Sequence, residues 1–468
     1  MTVLVVVADG ARPDTLREAM AAGDLPALAQ LDRDGGTFTV SSCFPSVTGP
    51  AYAPFICGRF PAGIGLPALR WFDRARQATR WPSHARSYVG SQMRLLDRDL
   101  SREARTLFEH VGAERGLASF SMLGRGLPAR RHVGKSVGFL ARVTHTHFRG
   151  DLEAWLRLDE RVADTVARRV RRERPRYLLA ALTGIDKASH AEGADGPSTR
   201  RAMRVVDRLV GELRHDAERR GEWERTQLWI TSDHGHALVE HHDDLAEWAR
   251  ARGLRVLAHP KVFVPRADIA VMVSGNAMAH LYVELGDRAR RPWRTLAPRW
   301  QSLADDLLAR PSVDLLCQWL GDSAALVRSS RGEARLTWAE GRFGYEPLSG
   351  DPLQLGGPLR GLDADDAHAA SIDTPYPDAL VQLADVVGAP RSGDLIVSAT
   401  PGHDFRARYE PIPHRSTHGA LHRDHMLVPW VMNHAPARTP RRTADIMPSA
   451  LAALGLPIPP GLHGASVR

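Results

Sequence analysis

The chain has 468 residues, which is too long for one ordinary domain and indicates two or three units, or one large α/β core with insertions. Hydrophobic residues make up 43% and charged residues 25%, a composition that excludes a disordered or fibrous protein. The formal net charge is +8, and every basic residue except Lys135, Lys187 and Lys261 is an arginine. These arginines are scattered among acidic residues, so the charge indicates a preference for small anionic substrates, and no nucleic-acid polymer is expected as a partner.

The cysteines and the first residues bear on the cellular compartment. Cys43, Cys57 and Cys317 are too few and too scattered for a disulfide framework or a zinc knuckle, and they fit a reducing compartment. The first apolar run, residues 3–8, has only the length of a strand, and neither a basic segment nor a small-residue cleavage site accompanies it. No later run reaches about 18 apolar residues. We therefore expect a cytoplasmic protein without a membrane span.

Three short apolar segments predict the strands of a parallel sheet. Residues 3–8 form a β-branched run that is typical of a strand buried on both faces, and residues 176–182 and 226–231 repeat the arrangement. Between the last two, apolar residues at helical spacing predict a crossover helix over about residues 198–219. Such a β–α–β unit indicates a parallel sheet with helices on both faces.

Two stretches interrupt this alternation of strands and helices. Residues 68–150 are rich in arginine and predict an irregular insertion. Residues 246–402 mix strands, loops and Gly/Pro clusters, with strands predicted at residues 270–273 and 280–283. The second stretch is therefore predicted to be an inserted cap or substrate-specificity region.

The last part of the chain returns to the pattern of the beginning. A strand is predicted at residues 426–432, and residues 444–454 predict a closing helix. We therefore expect an α/β protein with a mostly parallel central sheet flanked by helices and with inserted cap segments. Its discontinuous core would comprise residues 1–245 and 403–468.

Acidic residues and histidines follow all three predicted parallel strands. Asp9 follows the first strand, Asp186 and His190 follow the second, and Asp233 and His234 follow the third. Each group alone is more often a helix cap, a turn or a surface feature. However, the carboxyl ends of parallel strands share one edge of a sheet, where ligand-binding groups collect. Carboxylate and imidazole are suitable ligands for zinc, manganese or iron, so the three groups together predict a metal site.

Several motifs occur in an order that is characteristic of one superfamily. They are Asp9-Gly10 after the opening strand, P-S-x-T-x-P around Thr48 with a trailing C-G-R-F-P, I-D-K-A-S-H, T-S-D-H-G-H, T-H-G at residues 417–419, and R-T-A-D-I-M-P near the C-terminus. In this order the chain resembles the alkaline phosphatase superfamily, and most closely its type I phosphodiesterase and nucleotide pyrophosphatase branch. The resemblance covers roughly residues 1–65, 165–245 and 410–468, and it implies an alkaline phosphatase-like core.

The resemblance also implies two divalent metal ions, with Zn²⁺ preferred and Mn²⁺ as the alternative because both accept mixed oxygen and nitrogen ligands. One ion would be held by an aspartate and two histidines: Asp186, His190 and His418. The other would be held by two aspartates and a histidine, together with the nucleophile's oxygen: Asp9, Asp233, His234 and Thr48. Two ions about 4 Å apart suit an in-line displacement, because they clamp the attacking and leaving oxygens.

The activity implied by the resemblance is hydrolysis of phosphodiester or phosphoanhydride bonds in a small anionic phosphoester. Thr48 would be the nucleophile, since a metal ion on its oxygen makes the hydroxyl acidic enough to react, and a covalent phospho-threonine would follow. A phosphomonoesterase or phosphonate hydrolase on the same core is the first alternative. A metal-binding protein without catalysis is an alternative of another class. The sequence leaves the oligomeric state open.

Cys43 is a rival nucleophile. Residues 43–47 resemble the sulfatase segment C-x-P-S-R, in which the cysteine is converted to formylglycine, but Val47 stands in place of the arginine. In both branches the nucleophile lies ten residues before the glycine that closes the next helix. Thr48 lies ten residues before Gly58, whereas Cys43 lies fifteen before it, so a sulfatase is disfavoured.

Three further assignments concern the third histidine and the substrate. His418 is preferred among the histidines of its region because Gly419 follows it; the others are His403, His414, His422 and His425. Nucleotide pyrophosphatases generally carry a phosphate-binding asparagine soon after the nucleophile helix, and residues 63–71 contain none. Arg70 is a candidate to supply this hydrogen bond instead. Lys187, between two predicted ligands, is a second candidate for a phosphate contact, with a surface role as its alternative.

Overall fold

The structure is a computed structural model that describes residues 1–76, 85–134, 136–261, 263–406 and 414–468. The described strands up to residue 245 are β1 (Thr2–Ala8), β2 (Thr37–Ser41), β3 (Arg70–Phe72), β4 (Ala85–Ser87), β5 (Gly116–Ser119), β6 (His132–Val133), β7 (Tyr177–Leu182), β8 (Thr226–Thr231) and β9 (Ala237–His242). The helices that begin in this part are α1 (Pro13–Ala21), α2 (Pro26–Gly35), α3 (Ala53–Cys57), α4 (Leu96–Asp99), α5 (Leu107–Val111), α6 (Val137–Arg149), α7 (Leu152–Glu173), α8 (Gly184–Glu192), α9 (Pro197–Arg219) and α10 (Leu245–Ala251).

The rest of the chain contains a second group of strands and a short return to the first. The middle part holds β10 (Val256–Ala258), β11 (Ile269–Ser274), β12 (Met278–Val283), β13 (Val313–Gly321), β14 (Ala324–Ser329), β15 (Gly332–Ala339), β16 (Arg342–Gly350), β17 (Leu359–Leu362) and β18 (Leu395–Ala399), with helices α11 (Pro298–Leu308), α12 (Ala364–Ala369) and α13 (Ala379–Gly388). The last part holds β19 (Gly402–Asp404), β20 (Ser416–Thr417), β21 (Leu427–Met432), α14 (Arg423–Met426) and α15 (Ile446–Ala453).

Seven of the described strands form the central sheet, in the order β2–β21–β8–β1–β7–β5–β6. β1 pairs in parallel with β7 and β8, so that Val5 lies opposite Leu179 on one side and Trp229 on the other. β5 and β6 continue the parallel pairing at one edge, while β21 pairs antiparallel with both β8 and β2 at the other. The predicted α/β fold with a mostly parallel central sheet is confirmed.

Both faces of the central sheet are covered, as the uniformly apolar first strand predicts. Val3, Val5 and Val7 pack on one face in a cluster with residues of α3 and α15. Leu4 and Val6 pack on the other face with residues of α1, α2, α7 and α9. Alternate side chains of one strand therefore enter two separate cores, and this explains why the strand has no polar residue after Thr2.

The long helices α7 and α9 are amphipathic and lie side by side on the second of these faces. Val162 and Val166 of α7 are buried together with Met203 and Val206 of α9, the predicted crossover helix. Their outer faces carry charged residues. Among the described residues, no helix combines the length and the apolar character that crossing a membrane requires.

The stretch predicted to be irregular, residues 68–150, contributes to the central sheet. β5 and β6 lie within it and pair in parallel, and β5 also pairs with β7. Each of these strands has at most four residues and neither has a β-branched run, so no periodicity marks them in the sequence. Pairing with an already buried strand therefore decides their conformation. The extent of the insertion stays a prediction.

Nine strands described between residues 256 and 399 form a second sheet, in the order β10–β11–β12–β18–β13–β14–β15–β16–β17. It is antiparallel apart from the pair β10–β11. The strands predicted at residues 270–273 and 280–283 are β11 and β12. Leu380 and Leu383 of α13 lie between this sheet and the chain before α3, in one apolar cluster with Cys43 and Phe44. The division of the chain into a core and an inserted cap stays a prediction.

Candidate active site

The carboxyl ends of β1 and β8 bring two aspartates together. Asp9 directly follows β1, and Asp233 follows β8 by two residues; both carboxylates are buried. The Gly10 N–H lies 3.4 Å from Asp233 Oδ1 and donates to it. Gly10 has φ +81°, and a Cβ atom there would lie 3.0 Å from the Asp186 Cα and from the ring of His236. A glycine is therefore required where these segments meet.

Helix α8 follows β7 and carries the next pair of predicted residues. The buried Asp159 of α7 accepts hydrogen bonds from the N–H groups of Thr183 and Gly184 at 3.2 and 2.5 Å, which satisfies donors at the start of α8. Burial raises the pKa of Asp159 to about 7. Asp186 and His190 lie one helical turn apart on α8, with His190 Nε2 3.2 Å from Asp186 Oδ1.

Thr48 lies in the loop between β2 and α3, beside Asp9 and His234. Its Oγ1 is 3.0 Å from His234 Nε2 and 3.5 Å from Asp9 Oδ1. The loop is held from two sides. The Ser46 hydroxyl donates to the Ala420 carbonyl oxygen at 3.1 Å, and the Phe44 N–H donates to Gln382 Oε1 of α13 at 2.9 Å.

The predicted ligands converge in two buried groups, in each of which the ligand atoms lie within 4.8 Å of one another. We name them the Asp186 set and the Asp9 set. The Asp186 set comprises Asp186, His190 and His418; the Asp9 set comprises Asp9, Asp233 and His234. A third group with the same spacing joins the two sets through a residue that the sequence analysis did not assign: it comprises Asp186, His234 and His236. The only sequence signal for His236 is its place as the second histidine of T-S-D-H-G-H.

The histidines of the two sets turn the same nitrogen toward the carboxylates. His190 Nδ1 lies 2.9 Å from the Ser416 carbonyl oxygen, His418 Nδ1 lies 2.9 Å from that of Ser46, and His234 Nδ1 lies 3.1 Å from that of Gly235. A carbonyl oxygen only accepts, so the hydrogen-bond network places the proton on each Nδ1. In the neutral ring Nε2 is then the nitrogen with the lone pair, and it is this nitrogen that faces the aspartates, as in metal-binding imidazoles.

The pKa values of the aspartates indicate how well the two ligand sets would accept a cation. Burial, followed by the neighbouring charge of Asp233, raises the pKa of Asp9 well above its usual range, and burial likewise raises the pKa of Asp233. Burial opposes ionisation of Asp186 as well, but the neighbouring charge of Lys187 counters it, and the pKa of Asp186 lies well below its usual range. Asp233 Oδ2 is buried without a hydrogen-bond partner among the described residues. The donors fit divalent cations, which would neutralise these carboxylates.

The two predicted phosphate-binding residues lie in different surroundings. Lys187 is at the site, where its Nζ pairs with Asp186 Oδ2 at 2.7 Å. Arg70 begins β3, and its backbone N–H donates to Ser274 Oγ at 3.0 Å, next to Gly275. A Cβ atom on Gly275 would lie 2.9 Å from His418 Nδ1, so this corner of the second sheet packs directly against the Asp186 set.

The rival nucleophile and the alternative histidine ligands lie outside both ligand sets. Cys43 is fully buried in the apolar cluster beneath α13, and burial raises the pKa of its thiol well above the usual value. His425 Nδ1 accepts the Ala420 N–H at 3.0 Å, and the His422 side chain caps α14. The His403 ring packs against that of His241. The ring of His414 lies 4.5 Å from that of His190, beside the Asp186 set but outside the convergent groups.

Comparisons with known proteins agree with this architecture. An uncharacterized pyrophosphatase/phosphodiesterase of Schizosaccharomyces pombe is 27% identical over 241 residues, which cover 50% of this chain and 45% of that relative, so the match spans less than half of the relative's length. Phosphonoacetate hydrolase from Sinorhizobium meliloti, solved with phosphonoacetate, shares the fold with a TM-score of 0.58 at 16% identity, over 97% of this chain and 96% of that one. Human ectonucleotide pyrophosphatase/phosphodiesterase 5 does so with a TM-score of 0.57 at 15% identity, over 100% and 97%.

A family model tests the resemblance directly. The model of the type I phosphodiesterase/nucleotide pyrophosphatase family matches residues 3–421, which include both ligand sets and Thr48. The match also runs through the second sheet, beyond the segments that carry the sequence motifs. The chain therefore belongs to the type I phosphodiesterase/nucleotide pyrophosphatase family.

Proposed function

We propose that the chain is a two-metal hydrolase of phosphodiester or phosphoanhydride bonds that works through a covalent phospho-threonine at Thr48. The observation that carries the proposal is the position of Thr48 Oγ1, 3.0 Å from His234 Nε2 and 3.5 Å from Asp9 Oδ1. A divalent ion held by Asp9 and His234 would also contact this hydroxyl and lower its pKa, which a threonine nucleophile needs. Fold relatives solved with phosphonoacetate and with AMP support a small phosphorus-containing substrate.

The Asp186 set would hold one divalent ion, and the Asp9 set together with Thr48 Oγ1 would hold the other. Zn²⁺ suits the mixed oxygen and nitrogen donors best, and Mn²⁺ is compatible with them. When bound, such ions supply positive charge to the attacking and leaving oxygens of an in-line displacement.

The chain's own residues keep the ligands and the nucleophile in place. The Tyr52 hydroxyl donates to Asp9 Oδ2 at 3.2 Å, which leaves Asp9 Oδ1 facing Thr48. Lys187 holds Asp186 Oδ2 at 2.7 Å, so that Asp186 Oδ1 faces the histidines. These contacts fix the carboxylates before any substrate arrives, and preorganisation of this kind is what raises the rate.

The surroundings of Thr48 support a diester rather than a monoester. Gly49, next to the nucleophile, packs against Met122 and Leu96, since a Cβ atom there would lie 2.9 Å from Met122 Sδ. Met122 would offer an apolar neighbour to the second substituent of a diester, whereas a monoester calls for a cluster of positive donors. Two arginines of residues 68–150 that would suit a second anionic group are engaged elsewhere: Arg130 pairs with Glu114, and Arg131 pairs with Glu173.

The test compares bis-p-nitrophenyl phosphate, p-nitrophenyl phosphate and a p-nitrophenyl nucleotide ester on protein of known metal content. We expect the two diesters to turn over faster. Thr48→Ala should abolish turnover and keep most of the metal, while Thr48→Ser, which retains a hydroxyl, should keep measurable activity. Unaltered turnover in Thr48→Ala would refute the assignment of Thr48 as the nucleophile.

Two further outcomes separate the alternatives. Cys43→Ala should retain activity, because the buried thiol lies in the apolar cluster; loss of activity without loss of fold would favour the sulfatase chemistry. Faster turnover of the monoester would favour a phosphomonoesterase or phosphonate hydrolase on the same core.

A further inference from the structure

Helix α8 carries Asp186, Lys187 and His190, yet its N-terminus is capped from outside the helix. Thr183 occupies the N-cap position, and its side chain makes no capping hydrogen bond. The first N–H groups of a helix have no partner within the helix, and an N-cap side chain usually accepts one of them. In this chain two N–H groups at the start of α8 donate to the buried carboxylate of Asp159, which belongs to α7.

The two hydrogen bonds use both oxygens of the carboxylate. Asp159 Oδ1 accepts the Thr183 N–H at 3.2 Å, and Oδ2 accepts the Gly184 N–H at 2.5 Å. The lack of a side chain at Gly184 admits the carboxylate, because a Cβ atom there would lie 2.7 Å from Asp159 Oδ2. Both N–H groups need an acceptor oxygen, so an asparagine in place of Asp159 would turn its amino group toward one of them.

A second contact between the two helices lies one turn earlier on α7. Trp155 precedes Asp159 by four residues, so both side chains lie on one face of α7. Lys187 Nζ lies 5.7 Å from the centre of the Trp155 ring, within the range of a cation–π interaction, and it also pairs with Asp186 Oδ2 at 2.7 Å. One face of α7 therefore contacts both the backbone that precedes Asp186 and the side chain that holds its carboxylate.

The position of α8 decides whether the Asp186 set can form. Asp186 and His190 belong to this helix, whereas His418, the third member of the set, directly follows β20. A shift of α8 would therefore move two ligand atoms away from the third. The Asp9 set follows β1 and β8 and contains no residue of α8. A shift of α8 should consequently affect the Asp186 set and leave the Asp9 set unchanged.

We propose that Asp159 is a positioning residue that fixes α8, so that Asp186 and His190 present their ligand atoms to a divalent ion together with His418. This inference rests on the proposed function, because it presupposes a divalent ion at the Asp186 set. Asp159 acts through the backbone of Thr183 and Gly184 and is not itself a ligand. Its loss should lower the affinity for one ion and leave turnover at saturating metal close to that of the wild type.

The test measures Zn²⁺ binding by calorimetric titration of full-length protein in two backgrounds, each of which leaves one ligand set complete. Asp233→Asn leaves the Asp186 set, and His190→Ala leaves the Asp9 set. Adding Asp159→Asn should weaken Zn²⁺ binding about 10-fold in the first background and leave the affinity unchanged in the second. As a single variant, Asp159→Asn should lose turnover at limiting Zn²⁺ and regain it at saturating Zn²⁺.

Asp207→Asn is the matched control. Asp207 is also buried, and it too holds the start of one helix from another, since it lies on α9 and its Oδ1 accepts the Leu28 N–H of α2 at 2.8 Å. Helix α2 carries no member of either ligand set. This variant should keep the parent affinity in both backgrounds, whatever its melting temperature. An equal loss of Zn²⁺ affinity in Asp159→Asn and Asp207→Asn would indicate general destabilisation and would overturn the inference.

Gly184→Ala disturbs the same contact from α8. Alanine favours a helix more than glycine does, so the helix itself is not weakened, but the added Cβ atom would displace Asp159 Oδ2. We expect the same selective loss of Zn²⁺ affinity at the Asp186 set. Gly211→Ala in α9 is its control, because a Cβ atom there would make an ordinary contact with Ala27 at 3.5 Å.

Two results would overturn the inference in different ways. Unchanged Zn²⁺ affinity when Asp159→Asn or Gly184→Ala is added to Asp233→Asn would overturn the role of Asp159 while leaving the proposed function intact. A wild-type protein that binds no divalent ion would overturn both.

Discussion

The Asp186 set and the Asp9 set bury carboxylates with opposite electrostatic results. Asp186 has the Lys187 ammonium at 2.7 Å, and this charge counters the effect of burial, so the pKa of Asp186 lies well below its usual range. Burial and mutual repulsion raise the pKa values of Asp9 and Asp233. The chain therefore balances the charge of the Asp186 set by itself, whereas the carboxylates of the Asp9 set take up protons unless a cation neutralises them. The Asp9 set therefore depends on a bound cation far more than the Asp186 set does.

The largest expected effect comes from removing a charge from the Asp9 set. Asp233→Asn should lower the affinity for one ion and reduce turnover about 1,000-fold, because the ion contributes several kcal/mol to stabilising the transition state. Metal analysis and kinetics on one preparation measure both. Asp207→Asn, a change at a buried aspartate of α9 that bonds to the Leu28 N–H, is the control and should keep both ions. Full metal content in Asp233→Asn would contradict the ligand assignment.

The stability of metal-free protein should depend on pH through the same set. Folded chains with raised pKa values at Asp9 and Asp233 hold more protons than unfolded chains, so stability decreases as pH rises through those values. Each unit of raised pKa corresponds to about 1.4 kcal/mol. Asp186 does not add to the slope above about pH 4, because its pKa is lowered.

Melting temperatures in chelator between about pH 5 and pH 8 measure this dependence. Asp159 contributes a slope of the same sign, since its pKa is raised to about 7, so the informative quantity is the difference between wild type and Asp9→Asn. The variant should show the smaller slope, and added Zn²⁺ should flatten that of the wild type. Equal slopes in wild type and variant would show that Asp9 is ionised in the metal-free protein.

The smallest effect should follow loss of one hydrogen bond to the Asp9 set. Tyr52→Phe removes the hydroxyl that donates to Asp9 Oδ2 and should weaken binding of that set's ion about 10-fold, leaving the Asp186 set unchanged. Tyr177→Phe is the control, because the Tyr177 hydroxyl is buried without a hydrogen-bond partner among the described residues. Calorimetric titration of both variants measures the difference. Equal weakening at both sets would show that Tyr52 acts on general stability.

The sequence predicts the central strands of the first sheet better than its edge strands. The strand at residues 226–231 is predicted with its observed bounds, and the strand at 3–8 to within one residue, because each contains a buried apolar run. At the edge, β5 and β6 carry no such signal, since their conformation depends on pairing with β7. Length and burial of a strand thus determine how visible it is in the sequence.

The residues of the candidate site likewise differ in how well the sequence predicts them. Asp9, Asp186 and Asp233 follow strands, so the rule for parallel sheets places them at one edge from the sequence alone. Thr48 and His418 lie in loops, and only the resemblance to a family singles them out. His236 escapes both arguments, because its place at the site depends on its contact with Asp186, which is 50 residues away in the chain.

The hydrogen bond from His418 to the Ser46 carbonyl oxygen joins groups that are 372 residues apart in the chain. Gly10 and Asp233, which also contact each other at the site, are 223 residues apart. The site is therefore assembled from segments that are distant in the sequence. A partly folded chain cannot present these donors together, so a divalent ion would bind strongly only to the completed fold. A divalent ion present during synthesis would then stabilise the completely folded protein relative to partly folded intermediates.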